Sequence, residues 1–211
     1  MAITQEEWTK RHRQVLKNLV TNNRPLQIAA RTAMKDMSIR IFIDGRKTDG
    51  SLIGQYDTKT PFYVNPKTSA GSVKKSKPKG REGLLPTKGK TGEHVFKNGK
   101  EHKTTYVNNY KDYRNRIGKP IDKVNLVLSG DLQSDFCNAK IVSDKLPPNP
   151  SPKKVTAHEY IITLSRKESR DKREGLEDKY GIIFHSSKEE VAKFIKIADV
   201  ELRSEFAKAG L

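Results

Sequence analysis

SKEEVAKFIKIADVELRSEFAKAG, residues 187–210, decides the class of fold. Ser187-Lys-Glu-Glu190 has capping-box spacing, in which a hydroxyl and a carboxylate three residues apart each take a backbone N–H of the first turn. Beyond it, Val191, Phe194, Ile195, Ala198, Leu202 and Phe206 recur at helical intervals on one face, and Gly210 supplies a stop. The spacing predicts an amphipathic helix of roughly 20 residues and ~30 Å. A stripe of that width is expected to be core, packed on a sheet, in preference to a docking face.

The same signals open the chain. Thr4-Gln-Glu-Glu7 is a second capping box, leading a helix to about Asn22 with Trp8, Val15, Leu16 and Leu19 on one face. Pro25 at a first helical position starts another, to about Ile43, through Leu26, Ala29, Ala30, Ala33, Met34, Met37 and Ile41. Its small alanines allow close helix packing. Asp44-Gly45 and Asp49-Gly50 then read as turns.

Strand-like runs follow at 124–128 (VNLVL), 139–143 (AKIVS), 158–165 (HEYIITLS) and 180–185 (YGIIFH). A short turn or helical piece separates the first two, and the charged stretch 166–179 is an exposed loop or helix. The expectation is one α+β domain over residues 1–211. Two N-terminal helices and the long C-terminal helix pack on a small, mostly antiparallel sheet. Residues 145–154 (KLPPNPSPKK), with four prolines in six positions, form a stiff hairpin connection.

Composition limits the core such a domain can build. Only 34% of the 211 residues are hydrophobic, against roughly 45–50% in an average chain, while 32% are charged. The 42 Lys and Arg exceed the 25 Asp and Glu by 17. Nearly half of that excess, +8, lies in residues 67–103, a Gly-, Lys-, Ser- and Pro-rich segment with scattered apolar residues. Such a composition does not bury enough surface to offset its ordering entropy. It reads either as a solvated linker or as an arm that orders against nucleic acid or an acidic protein surface. In the second reading Lys74, Lys75, Lys77, Lys79, Arg81, Lys88 and Lys90 are the contact charges. The chain as a whole is expected to need a partner to become fully ordered.

Several classes of function recede. No window holds the ~18 apolar residues of a membrane span, and the N-terminus has no signal-peptide core, so no membrane partner is expected. One cysteine, Cys137, allows neither an internal disulfide nor a multi-cysteine metal site, and its setting suits a buried structural thiol. The histidines 12, 94, 102, 158 and 185 show no metal-ligand spacing. Gly89-Lys-Thr-Gly92 lacks the first glycine of a phosphate loop. Asp44, Asp49, Asp57, Asp131 and Asp135 could hold a nuclease metal in principle, but turn and cap roles suit them better. No enzyme activity and no cofactor are expected.

Three stretches carry a resemblance. They are Arg40–Gly45 (RIFIDG) with Asp49–Tyr56 (DGSLIGQY), Tyr110–Pro120 (YKDYRNRIGKP) running into Asp122–Leu132 (DKVNLVLSGDL), and Gly175–Phe184 (GLEDKYGIIF) ahead of the last helix. In this order they resemble the small α+β head–tail joining, neck, tail-completion and virion morphogenesis proteins of tailed phages and prophages. The resemblance touches about half the chain in blocks, and its motifs are structural. The basic segment 67–103 is longer and more charged than that pattern. The resemblance implies a non-enzymatic subunit of a homo-oligomeric ring between portal and tail. Such a subunit is assembled in the host cytoplasm and resides in the virion neck or tail. Its partners would be portal, neck or tail proteins, with packaged DNA phosphates within reach of the basic arm. The alternative is a free basic nucleic-acid-binding protein, ribosome- or DNA-associated. The arm offers that role only one aromatic platform, Phe96.

Overall fold

The computed structural model describes residues 4–64, 67–68, 71–72, 93–95, 101–103, 105–127, 130–138 and 150–210. The chain is α+β. In order it forms α1 (Gln5–Thr21), α2 (Arg24–Ser38) continued by a π turn (Ile39–Ile43), β1 (Phe62–Val64), β2 (Lys67–Thr68) and β3 (Gly71–Ser72). Next come β4 (Glu93–Val95), β5 (Glu101–Lys103), β6 (Thr105–Val107), α3 (Tyr110–Arg116) and α4 (Asp131–Phe136). The last elements are β7 (Lys153–Thr156), β8 (Glu159–Ile161), α5 (Lys167–Tyr180) and α6 (Lys188–Lys208).

The caps sit where local chemistry puts them. Thr4 Oγ1 accepts from the Glu7 N–H at 3.2 Å, and Asn23 Oδ1 accepts from the Leu26 N–H at 3.1 Å ahead of Pro25. At α6 the capping box is complete. Ser187 Oγ accepts from Glu190 N at 3.2 Å, and Glu190 Oε2 accepts from Ser187 N at 2.7 Å. α6 runs antiparallel to α2: Lys193 pairs with Asp36 at 2.6 Å at one end, and Glu205 and Lys208 lie near Arg24 and Pro25 at the other. The buried alanines Ala29 and Ala30 lie on α2. α1 touches the far end of α6 through an aromatic bridge. The Trp8 and His12 rings are 4.8 Å apart, and His12 and Phe206 5.5 Å.

The described strands form separate two-stranded antiparallel pairs, β1 with β6, β2 with β3, β4 with β5 and β7 with β8. Two of the strand-like runs take other shapes. In 124–127 there is no ladder, because Leu126 adopts a left-handed backbone (φ 52) that breaks an extended course. Over 180–185 the chain leaves α5 at Tyr180 through Gly181 (φ 87) and continues without a strand partner, its Ile182 carbonyl accepting from the Thr48 N–H at 3.1 Å. The run 158–165 pairs only at Glu159–Ile161, and 139–143 lies outside the described residues. Of the proline-rich connection, 150–154 is described, with β7 pairing forward to β8. The charged stretch 166–179 is helical, within α5.

The main core gathers Met34, Met37, Ile41 and Phe42 from α2 and its π turn with Phe136, Cys137, Ile183 and Phe184. Phe42, Phe136 and Phe184 form a triangle of rings with centroids 5.7–6.3 Å apart, at the tilted and edge-on angles aromatic pairs prefer. Gly45 (φ 64) is held against residue 124, where any Cβ would overlap the Val124 carbonyl. That contact seats the turn after α2 on the 124–127 segment.

Arg40 locks this core to α6. Its Nε donates to Glu190 Oε1 at 2.8 Å, Nη1 to the carbonyls of Ile183 (3.0 Å) and Arg46 (3.2 Å), and Nη2 to that of His185 (2.7 Å). Both partners of the ion pair are buried. One arginine thus ties the π turn, the 183–185 segment and the first turn of α6 together.

Candidate functional site

The seven basic residues expected to make contacts, Lys74, Lys75, Lys77, Lys79, Arg81, Lys88 and Lys90, lie outside the described residues. The aspartates do mostly turn and cap work. Asp49 Oδ1 accepts from the Ser51 N–H and hydroxyl, and Asp57 Oδ1 from the N–H groups of Lys59 and Thr60. These donated hydrogen bonds hold both carboxyls below their ordinary range. Asp131 and Asp135 share the short helix α4. Asp135 is buried and accepts from the Arg166 N–H at 3.1 Å. Among the described residues, no three of His, Cys, Asp and Glu stand close enough together to hold a metal ion. Cys137 is fully buried with its thiol directed to Ser38 Oγ at 3.3 Å, and burial pushes its pKa up. No described helix is long and apolar enough to cross a membrane.

Two features remain. The first corrects the reading of α6. Its stripe is not core: Val191, Ile195 and Leu202 are 46%, 60% and 37% exposed, and Phe194, Ala198 and Phe206 are only half-buried. The reason is that α6 packs chiefly on the single helix α2, and a lone helix covers less of a stripe than a sheet would. α1 repeats the pattern, with Trp8, Leu16 and Val20 exposed. Both helices therefore present apolar side chains to solvent at helical spacing.

The second is a cleft of about 460 Å³. It collects residues from all three stretches quoted in the sequence analysis: Tyr56 from the first, Tyr110, Arg114, Leu126 and Leu132 from the second, Leu176 and Tyr180 from the third. α5 lines it with Lys172, Leu176 and Lys179, spaced i, i+4 and i+7 on one helical face. Gly54 is packed so close to the Tyr180 ring that a Cβ would collide with it.

Arg114 lies against this cleft with 1% of its surface exposed. Its guanidinium stacks on the Tyr56 ring, 4.5 Å from the centroid. Nε donates to the Pro120 carbonyl at 3.1 Å and Nη2 to Asn125 Oδ1 at 2.9 Å. The Tyr56 hydroxyl donates to the same Asn125 oxygen at 3.3 Å and accepts from the Asn125 N–H at 3.2 Å. Burial raises the Tyr56 pKa, so the phenol stays protonated as that donor. No carboxylate pairs with Arg114 among the described residues, and Asp57 is the only acid lining the cleft. The site is net cationic, with aromatic and aliphatic walls.

Sequence reasoning missed this site. Arg114 and Tyr56 stand 58 positions apart, and nothing local marks them as neighbours. The one local signal is the Lys172-Leu176-Lys179 spacing within the charged stretch 166–179, which by sequence reads as an exposed loop or helix. Comparisons with protein-family models, with curated proteins and with solved structures find no match to this chain.

Proposed function

We propose that this protein is a non-enzymatic structural subunit of a tailed-phage particle, a ring-forming neck, head–tail connector or tail-completion component joining portal and tail. The observation that carries the reading is the uncovered apolar stripe of α6, Val191, Ile195 and Leu202, on a helix otherwise well capped and well anchored. A soluble monomer gains nothing from leaving such side chains in water. Since these side chains are 37–60% exposed, covering the remainder of each would contribute roughly 1 kcal/mol, about half the value of a full burial. A neighbouring copy that covers α6 with a different face makes a head-to-tail contact, and head-to-tail contacts that close produce rings. The order of the three quoted stretches supports placing that ring in a phage neck. The +8 segment 67–103 would then dock on a neighbouring subunit, portal or tail protein, or on packaged DNA phosphates.

The test is the assembly state of the full chain. Light scattering at micromolar concentration is expected to find a closed oligomer, and the Ile195→Asp/Leu202→Asp variant a folded monomer by circular dichroism. Gold-labelled antibody is expected to mark the neck of intact particles. A wild-type chain that stays monomeric at tens of micromolar and is missing from purified particles would overturn the reading. A second reading, free nucleic-acid binding, rests on the +17 charge. It predicts duplex affinity whose logarithm falls linearly with the logarithm of salt, in a protein that never enters particles.

A further inference from the structure

We propose that the cleft between α3, α4 and α5 is a docking site for a short peptide segment of a partner protein. That segment carries a carboxylate beside an apolar side chain. The inference rests on Arg114 and its surroundings and holds whether or not the chain forms a ring.

A guanidinium stays charged at any working pH, so a buried arginine demands compensation. Arg114 receives only neutral oxygens, from Pro120 and Asn125, and the face of Tyr56. Its Nη1 has no hydrogen-bond partner among the described residues. With Nε and Nη2 engaged, Nη1 is the nitrogen left to meet an acceptor at the cleft wall, and the charge of Arg114 has no anionic partner among the described residues. A carboxylate supplies that missing anion, and charge-assisted pairs of this kind are the strong ones. Lys172 and Lys179 add positive charge from α5, and neither is ion-paired among the described residues. The one lining acid, Asp57, already accepts from two backbone N–H groups, and its negative charge disfavours a dianionic phosphate over a single carboxylate.

The rest of the lining sets what must accompany the acid. Val124, Leu126, Leu132 and Leu176 offer an aliphatic wall suited to a leucine- or valine-sized side chain. The volume falls in the ~300–1,000 Å³ range of ligand sites. An acid flanked by apolar residues fits this combination. A nucleotide would leave its sugar hydroxyls against leucines.

The experiment uses the full chain and a fluorescein-labelled pentapeptide with one aspartate between two leucines. Anisotropy is expected to show saturable binding. Replacing the aspartate by asparagine is expected to weaken it tenfold or more, as is the double variant Lys172→Glu/Lys179→Glu, whose positions are exposed on α5. Amide shifts in labelled protein are expected to concentrate at Tyr56, Tyr110, Leu126 and Leu176. Arg114→Lys keeps the charge but loses the planar fork, and is expected to bind at least tenfold more weakly if it folds. Equal affinity for the asparagine peptide would overturn the proposal, as would unchanged binding by the double-glutamate variant. So would tighter binding of adenosine monophosphate, or equally tight binding of N-acetylaspartate alone, which would make the ligand a small acid. Loss of ring assembly with peptide binding intact would count against the proposed function and leave this site standing.

Discussion

Two buried arginines, Arg40 and Arg114, face the same physical problem and answer it differently. Arg40 has a carboxylate and three carbonyls around it, so each of its nitrogens is engaged and its charge is balanced inside the fold. Arg114 is more deeply buried yet has two neutral acceptors, one aromatic face and a cleft. The first arrangement is closed and serves architecture. The second leaves the charge without an anionic partner among the described residues, behind the wall of a cleft, the arrangement on which the proposed carboxylate site rests.

The contrast can be broken by substitution. Arg40→Met is expected to have the largest effect, about 3–5 kcal/mol of lost stability, because it strands the buried Glu190 carboxylate. Chemical denaturation measures this as a lower midpoint at unchanged slope. Glu190→Gln keeps the capping geometry of α6 and removes only the charge, so about 1.5–3 kcal/mol is expected from the same measurement. Arg114→Met is expected to cost less, about 1–2 kcal/mol, since Asn125 Oδ1 keeps the Tyr56 hydroxyl and the Val127 N–H as donors. If Arg114→Met destabilised as much as Arg40→Met, the distinction between closed and open arginines would fail.

A carboxylate offers a subtler test. Glu177 Oε1 accepts from the N–H groups of Ile183 and Phe184 at 3.0 and 2.9 Å, and Oε2 from Arg173 Nε at 2.9 Å. Burial alone would raise its pKa, but these three donors outweigh that and hold it below the ordinary 4.5. A depressed folded pKa contributes stability that is complete above the unfolded value and lost as pH falls through the folded one. Wild type is therefore expected to lose stability below about pH 4.5, and Glu177→Gln to show a shallower decline in thermal melts over that window. Smallest of all, Arg203→Ala removes an exposed pair with Asp199 and is expected to change stability by less than about 1 kcal/mol.

Legibility followed the range of the interactions. The helices α1, α2 and α6 were readable because caps and periodicity are local: Thr4, Asn23–Pro25 and Ser187–Glu190 each act within one turn. The helix α3 was not, although Asn109 caps it by accepting from the Asp112 N–H at 2.8 Å. Its seven residues, YKDYRNR, carry too short an apolar period to register. The run 124–128 looked like a strand because valine and leucine favour one, yet Val124 and Val127 are buried by distant partners around a left-handed Leu126. The α6 stripe reads as core in the sequence because periodicity shows that a face is apolar without showing what covers it. The cleft was invisible for the strongest reason: its walls come from four separate stretches, joined only by the tertiary fold.

One further feature has experimental value. Cys137 lies wholly beneath the surface, its sulfur hydrogen-bonded to Ser38 and its thiol reluctant to ionise. Because it is the sole cysteine of the chain, the native sequence contains its own reporter. A maleimide or disulfide reagent can reach that sulfur only when α4 and α2 part, so the rate of modification times the opening of the core without any introduced label.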